Sequence, residues 1–270
     1  MTSSLAVFLA QNPASVLVEI IGTQGSTPRE AGTFMLVSAD DIWGTIGGGQ
    51  FEFMAIANAR AMLEGDGLAV MDIPLGPEIG QCCGGRTQLS CRVASAEIIA
   101  DLRRRLEGEA QAFPQVTLFG AGHVGRALAV ALKPLPVTTL VVETRQAELD
   151  VLPDGIERRL VAMPEALIAD LPSGSVVLIL THDHALDFLI AREALARSDL
   201  AYVGMIGSAT KRATFAHWLA REGGAPSLME RLTLPVGGTT VKDKRPEVIA
   251  AMTAAEILTT LAAYRVRSST

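Results

Sequence analysis

Two adjacent thiols stand between glycines in the segment Gly80-Gln81-Cys82-Cys83-Gly84-Gly85, in a chain of 270 residues with three cysteines. Zero spacing excludes a CxxC redox or zinc reading. Vicinal thiols can close a strained disulfide, ligate a soft metal or carry a sulfur atom, and the thiolate is the reactive form. Nearby helix N-termini, or Arg29 and Arg86, would favour that thiolate. The plain alternative is two small apolar residues packed in a tight turn. The flanking glycines add no core volume, which argues for a site at Gln81, Cys82, Cys83, Gly84 and Gly85. Cys91 lies in an apolar strand pattern and reads as core.

Two further segments of the same region are built for ligands. Residues 25–35, GSTPREAGTFM, combine glycine, hydroxyls, proline and a cation. Ser26 and Thr27 can cap or bind, and Arg29 can take a phosphate or carboxylate through two parallel hydrogen bonds. Gly47, Gly48 and Gly49 precede a helix whose first turn carries Glu52, and a glycine-rich helix start offers backbone N–H groups to an anion. Either segment alone reads as a turn. Together with the cysteine segment they suggest a built pocket.

The second half carries its own motifs. Residues 120–125, GAGHVG, follow the apolar run VTLF and open a helical pattern, the context that a dinucleotide fingerprint requires. Gly120 suits a tight turn, Gly122 close approach of a pyrophosphate, and Gly125 close packing of helix on strand. His123 sits inside the turn. Glu143 ends the next strand pattern, near the usual place of an acid that holds ribose hydroxyls. A packing turn without a ligand would need the same glycines. His182 and His184 flank Asp183 at the end of the strongest strand pattern; the set can shuttle protons, but it is thin for a metal site, and helix capping by Asp183 explains it equally. Ser208, Lys211 and Arg212 follow another strand at a helix start. They read as an anion site or as a serine cap with solvated cations.

The elements that must position these residues fall into two grammars. Residues 13–95 show short β-branched strands separated by turns, with one helix over FEFMAIANARAML: an α+β region. Residues 96–113 read as a charged surface helix. Residues 115–265 alternate strand and helix, which predicts a doubly wound parallel sheet of Rossmann type. The expected organisation is a cofactor domain over 1–95, a linker helix over 96–114 and a Rossmann-like domain over 115–270.

Composition narrows the function classes. The 23 basic and 29 acidic residues give a net charge of -6, against nucleic acid as a partner. Three cysteines make no disulfide framework, and no run reaches the roughly 18 unbroken apolar residues of a membrane span. The first 20 residues lack a basic stretch of signal-peptide type. The expectation is a cytoplasmic protein that makes no use of a membrane. A mean hydropathy of +0.33 and an apolar last helix make self-association plausible.

Taken in order, GSTPREAG, GTIGGGQFE, GQCCGG, GAGHVG and THDH resemble the xanthine dehydrogenase accessory protein family, XdhC/CoxI. The resemblance covers nearly the whole chain. It implies an N-terminal XdhC/CoxI domain and a C-terminal Rossmann-like domain. It implies a non-enzymatic chaperone that binds molybdenum cofactor in its molybdopterin form, protects it, supports its sulfuration by a cysteine desulfurase and delivers it to the molybdenum subunit of xanthine dehydrogenase. Soft thiolates at Cys82 and Cys83 would suit the cofactor's molybdenum, and glycine turns with Arg29 its phosphate. A nucleotide at the Rossmann turn is a further expectation. The alternatives are an NAD(P)-dependent oxidoreductase and a molybdopterin nucleotidyltransferase or sulfurtransferase.

Overall fold

The computed structural model describes residues 2–77 and 84–268, which divide into two compact units, 1–109 and 110–270. The first unit runs α1 (Thr2–Gln11), β1 (Val16–Gln24), β2 (Phe34–Val37), β3 (Ile42–Gly44), α2 (Gly49–Leu63), β4 (Val70–Pro74), β5 (Arg86–Val93) and α3 (Ala96–Gln111). Its five strands form an antiparallel sheet in the order β3-β2-β1-β5-β4.

Period-two alternation explains why both faces of this sheet are covered. Val16, Val18, Ile20, Met35 and Val37 pack with Phe51, Ala55, Ile56 and Ala59 of α2. Leu17 and Leu36 point the other way, to Leu5 and Phe8 of α1 and Leu102 and Leu106 of α3. The residues expected to form a linker helix therefore contribute two leucines to the core of the first unit. Helix α1 was not anticipated; its short TSSLAVFLAQ pattern forms a helix because Leu5 and Phe8 find the uncovered sheet face. Arg105 fastens α3 down: its guanidinium donates to Glu19 Oε1 at 2.6 Å and to the Gly32 carbonyl, and lies 5.1 Å from the centre of the Phe34 ring.

The second unit alternates as expected: β6 (Gln115–Phe119), α4 (His123–Leu132), β7 (Thr138–Glu143), α5 (Gln146–Asp150), β8 (Glu157–Leu160), β9 (Val176–Ile179), α6 (His184–Ala196), β10 (Tyr202–Met205), α7 (Ala209–Arg221), β11 (Leu232–Thr233) and α8 (Pro246–Ser268). All six strands are parallel, in the order β11-β10-β9-β6-β7-β8. Numbered within the unit this is 3-2-1-4-5-6 read from the β8 edge, the order of doubly wound dinucleotide folds. The short strand β11 and helix α5 carry too few residues to show a period. By length and composition Pro246–Arg267 could cross a membrane. Here Ala250, Ala254, Ile257 and Leu261 of that helix pack into the core beside Leu128 and Ala129 of α4.

Phe51, in the first turn of the helix that begins at the triple glycine, is fully buried. Phe51→Ala is expected to cost about 3–5 kcal/mol of the first unit's stability. Urea unfolding monitored by hydrogen exchange should show lost protection in β1, β2 and β5, with the strands of the second unit unchanged.

Candidate functional sites

Three loops of the first unit come together. The turn after β1 runs through Gly25, Ser26, Thr27, Pro28 and Arg29. Ser26 forms a β-bridge with Gly84. Gly84 N–H donates to the Leu75 carbonyl at 2.9 Å, and Leu75 N–H to the Gly85 carbonyl at 2.8 Å. A Cβ on Gly85 would lie 2.2 Å from the Ser26 carbonyl oxygen, so only glycine fits there. Gln81, Cys82 and Cys83 lie outside the described residues. The chain re-enters at Gly84, pinned between Leu75 and Ser26.

The triple glycine touches the same turn from the other side. A Cβ on Gly47 would lie 2.9 Å from Pro28 Cβ and Cγ and 3.6 Å from Arg29 Cγ. Gly47, Gly48 and Gly49 have φ of 132°, 76° and 71°, three consecutive values that L side chains rarely adopt. The motif is therefore required by backbone shape, independent of any ligand.

The loop that leads into this helix uses its own donors, whereas no side chain caps the helix itself, which begins at Gly49. Glu52 folds back onto that loop. Its Oε2 accepts from Ile46 N–H at 2.9 Å, Gly48 N–H at 3.1 Å and the Thr45 hydroxyl at 2.5 Å. Gly47 N–H is taken by Thr45 Oγ1 at 3.1 Å. Partial burial pushes the Glu52 carboxyl up, but the hydroxyl of Thr45 and these backbone donors outweigh it, so the net shift is downward. Glu52 shapes the loop as an ionised carboxylate. Arg29 differs: it is exposed, and no ion pair or side-chain hydrogen bond to it occurs among the described residues. Thr27 is used locally, its hydroxyl donating to the Arg29 carbonyl at 3.0 Å. Cys91 is buried in β5, where desolvation raises its thiol pKa against a hydrogen bond with Asn58.

In the second unit the strand order reverses direction between β6 and β9, which places a crevice at their carboxyl ends. Two loops line it. A Cβ on Gly120 (φ 121°) would lie 2.5 Å from the Leu180 carbonyl oxygen, and one on Gly125 would lie 2.1 Å from the Gly120 carbonyl oxygen. Nothing lies within 4 Å of a Cβ on Gly122, and His123 is exposed at the start of α4. Gly120 and Gly125 are thus required by close backbone packing, and the space beside Gly122 is open. His182 and His184 are exposed, while Asp183 caps α6 by accepting from Ala185 N–H at 2.8 Å. Among the described residues no group of three or more His, Cys, Asp or Glu side chains could hold a metal.

Ser208 caps α7 through a 3.4 Å contact with Lys211 N–H. The Lys211 and Arg212 side chains turn away from solvent. Arg212 donates to the carbonyls of Leu232 and Met229 at 2.9 and 2.8 Å. Lys211 Nζ pairs with Asp187 Oδ2 and donates to the Ile206 carbonyl at 2.9 Å. Asp187 is fully buried, and its Oδ1 accepts from Thr181 N–H at 3.2 Å and lies 2.7 Å from the Thr181 hydroxyl. This pair bolts the loop after β9 to the loop after β10. Asp187 was missed in the sequence. The available signal was an acid on the apolar face of α6, four residues before Ala191; a buried acid there requires a cation.

Glu143 also turns inward. Its Oε2 accepts from Ala121 N–H of the glycine turn at 3.0 Å, and its Oε1 from Thr144 N–H at 2.8 Å. Arg145 lies against both oxygens, at 3.3 and 3.4 Å. Burial raises the carboxyl pKa, but the Ala121 donor, Arg145 and the Thr144 donor outweigh it and hold it below the ordinary range.

Two predictions follow from this geometry. Removing one partner of a buried ion pair costs about 3–5 kcal/mol, whereas replacing both with apolar groups is near neutral. Lys211→Met should therefore unfold at markedly lower denaturant, and Asp187→Leu combined with Lys211→Met should recover most of the loss in a double-mutant cycle. Glu52 and Glu143 are both depressed, so their contribution to stability is present above the unfolded-state pKa and lost as pH falls through the lower folded value. Between about pH 5 and about pH 3, the thermal midpoints of Glu52→Gln and Glu143→Gln should fall less than that of the unaltered chain.

Comparison with known proteins agrees with this architecture. Residues 8–73 match the family described as XdhC and CoxI, and residues 116–257 match the XdhC Rossmann domain. The Escherichia coli (strain K12) protein YqeB, described as uncharacterized, is 28% identical over 259 residues, covering 92% of this chain. The match spans 44% of YqeB, less than half its length. A Bacillus halodurans crystal structure, described as that of a xanthine dehydrogenase, superposes with a TM-score of 0.78 at 18% identity, over 96% of this chain and 95% of the other. That likeness is one of fold. With the family matches falling in both units, and the Rossmann match alone covering more than half of its length, the chain belongs to the XdhC and CoxI family.

Proposed function

We propose that this protein is a non-enzymatic carrier for molybdenum cofactor in its molybdopterin form, and that the cargo is held by the first unit. The observation that supports this most is the meeting of three loops at the turn 25–29, which carries Arg29, whose guanidinium has no pairing partner among the described residues. A guanidinium beside glycine-shaped backbone suits a phosphate ester. Glu52 keeps the triple-glycine loop in place, and Ser26 holds the end of the segment that contains Cys82 and Cys83.

In this reading Arg29 binds the phosphate, with Ser26, Thr27 and Gly47 to Gly49 shaping its surroundings. Cys82 and Cys83 would supply soft thiolates, the fitting ligands for molybdenum. Family membership supports a role in maturing xanthine dehydrogenase. Sulfuration of the cargo by a cysteine desulfurase and transfer to the molybdenum subunit of xanthine dehydrogenase complete the proposal. Both partners would meet the carrier transiently, for which a modest interface suffices.

The test is co-purification. The full chain, expressed in cells that make the cofactor, should release close to one fluorescent oxidised pterin and one molybdenum per chain. Arg29→Ala, which removes charge-assisted hydrogen bonds, should lower pterin retention about tenfold. Cys82→Ala combined with Cys83→Ala should lose molybdenum. Absence of pterin even after addition of cofactor in vitro would overturn the carrier reading. Full retention by both variants would move the cargo away from these loops.

A further inference from the structure

The fold of the second unit implies a dinucleotide, and a nicotinamide oxidoreductase is the activity that this would bring. In such folds the acid at the end of the second strand accepts from the ribose hydroxyls of the adenosine half. The counterpart here is Glu143 at the end of β7. Its surroundings do not fit that task.

A carboxylate offers about four lone-pair directions. On Oε1 the N–H of Thr144, the Thr144 hydroxyl, and the N–H and Nε–H of Arg145 lie at 2.8, 3.2, 3.3 and 3.3 Å. On Oε2 stand Ala121 N–H at 3.0 Å and Arg145 Nη2 at 3.4 Å. The Glu143 side chain is 4% exposed, and the guanidinium that covers it is also 3.4 Å from Glu148. A ribose diol arriving here would have to displace a charged, doubly anchored arginine. It would also compete for an oxygen that already holds the glycine turn through Ala121.

We infer that Glu143 is a strut of the glycine turn and not a ribose ligand, so the second unit does not select nucleotides through a 2′,3′-diol. The acid stabilises the turn from inside, and Arg145 closes it off from the crevice. A dinucleotide loses its usual adenosine anchor, which separates this unit from nicotinamide-dependent relatives of the fold. The inference concerns the second unit alone and does not depend on where the first unit holds its cargo.

The probe pair is ADP and 2′-deoxy-ADP, titrated calorimetrically into the full chain, its Glu143→Gln variant and its Arg145→Ala variant. In the unaltered chain and in Arg145→Ala, the two nucleotides should bind equally within about twofold, or neither should bind. Glu143→Gln should lower the thermal midpoint and leave that ratio unchanged. A preference for ADP of tenfold or more that persists in Glu143→Gln would overturn the claim that the diol goes unread, because a group other than Glu143 would then select it. A preference of tenfold or more that vanishes in Glu143→Gln would overturn the inference. So would a tenfold preference that emerges in Arg145→Ala, because the acid would then be a ribose site beneath a displaceable cover. Arg145 is 41% exposed, so its variant keeps the test open if Glu143→Gln fails to fold.

Discussion

In each unit a carboxylate hydrogen-bonded to the backbone of a glycine turn holds that turn in shape. Glycine is needed wherever the chain adopts positive φ or passes another backbone without room for a Cβ, but glycine also leaves the loop with the most freedom to lose on folding. A turn built from several glycines needs something to hold it. In the first unit Glu52 gathers Thr45, Ile46 and Gly48. In the second Glu143 holds Ala121 between Gly120 and Gly122. Each acid is depressed in pKa because several donors converge on its ionised form. The same chemistry that would bind an external anion or a diol is thereby partly used up internally.

This changes how the two regions read as sites. In the first unit the N–H groups of Ile46, Gly47 and Gly48 are occupied, and an open recognition group is the Arg29 guanidinium beside Pro28 and Gly47. A cation against a rigid, glycine-shaped surface favours a phosphate-bearing ligand, in keeping with the carrier role we propose. In the second unit the crevice between β6 and β9 keeps an open face at Gly122, His123, His182 and His184. Its walls are held by interior charges: Glu143 under the glycine turn, and the Lys211–Asp187 pair joining the loops after β9 and β10. Fold likeness to dinucleotide-binding proteins says where a ligand would enter, whereas the side chains decide what can be recognised there.

Much of this was legible from residue order alone. Alternating strand and helix signals over 115–265 led to the parallel sheet, and glycine spacing led to the turn at its centre, because each depends on local periodicity or on single-residue conformational limits. The convergence of residues 25–29, 47–49 and 84–85 was anticipated only as a pocket of some kind. The directions in which charged side chains turn were not legible. Glu52, Glu143 and Lys211 were read as facing a ligand, yet each is bonded within the chain. Asp187 carried almost no signal, since its partner lies 24 residues away on another helix.

The sequence by itself determined the two-part α+β and Rossmann architecture, the positions of the glycine turns and the family resemblance, all of which rest on short-range patterns. Tertiary structure decided which polar groups remain open to a ligand. Burial makes an unpaired charge costly, so a carboxylate or ammonium seeks the nearest donor or counter-ion whatever its distance along the chain. Packing brought Ala121 to Glu143 and Asp187 to Lys211, and it left Arg29 facing outward.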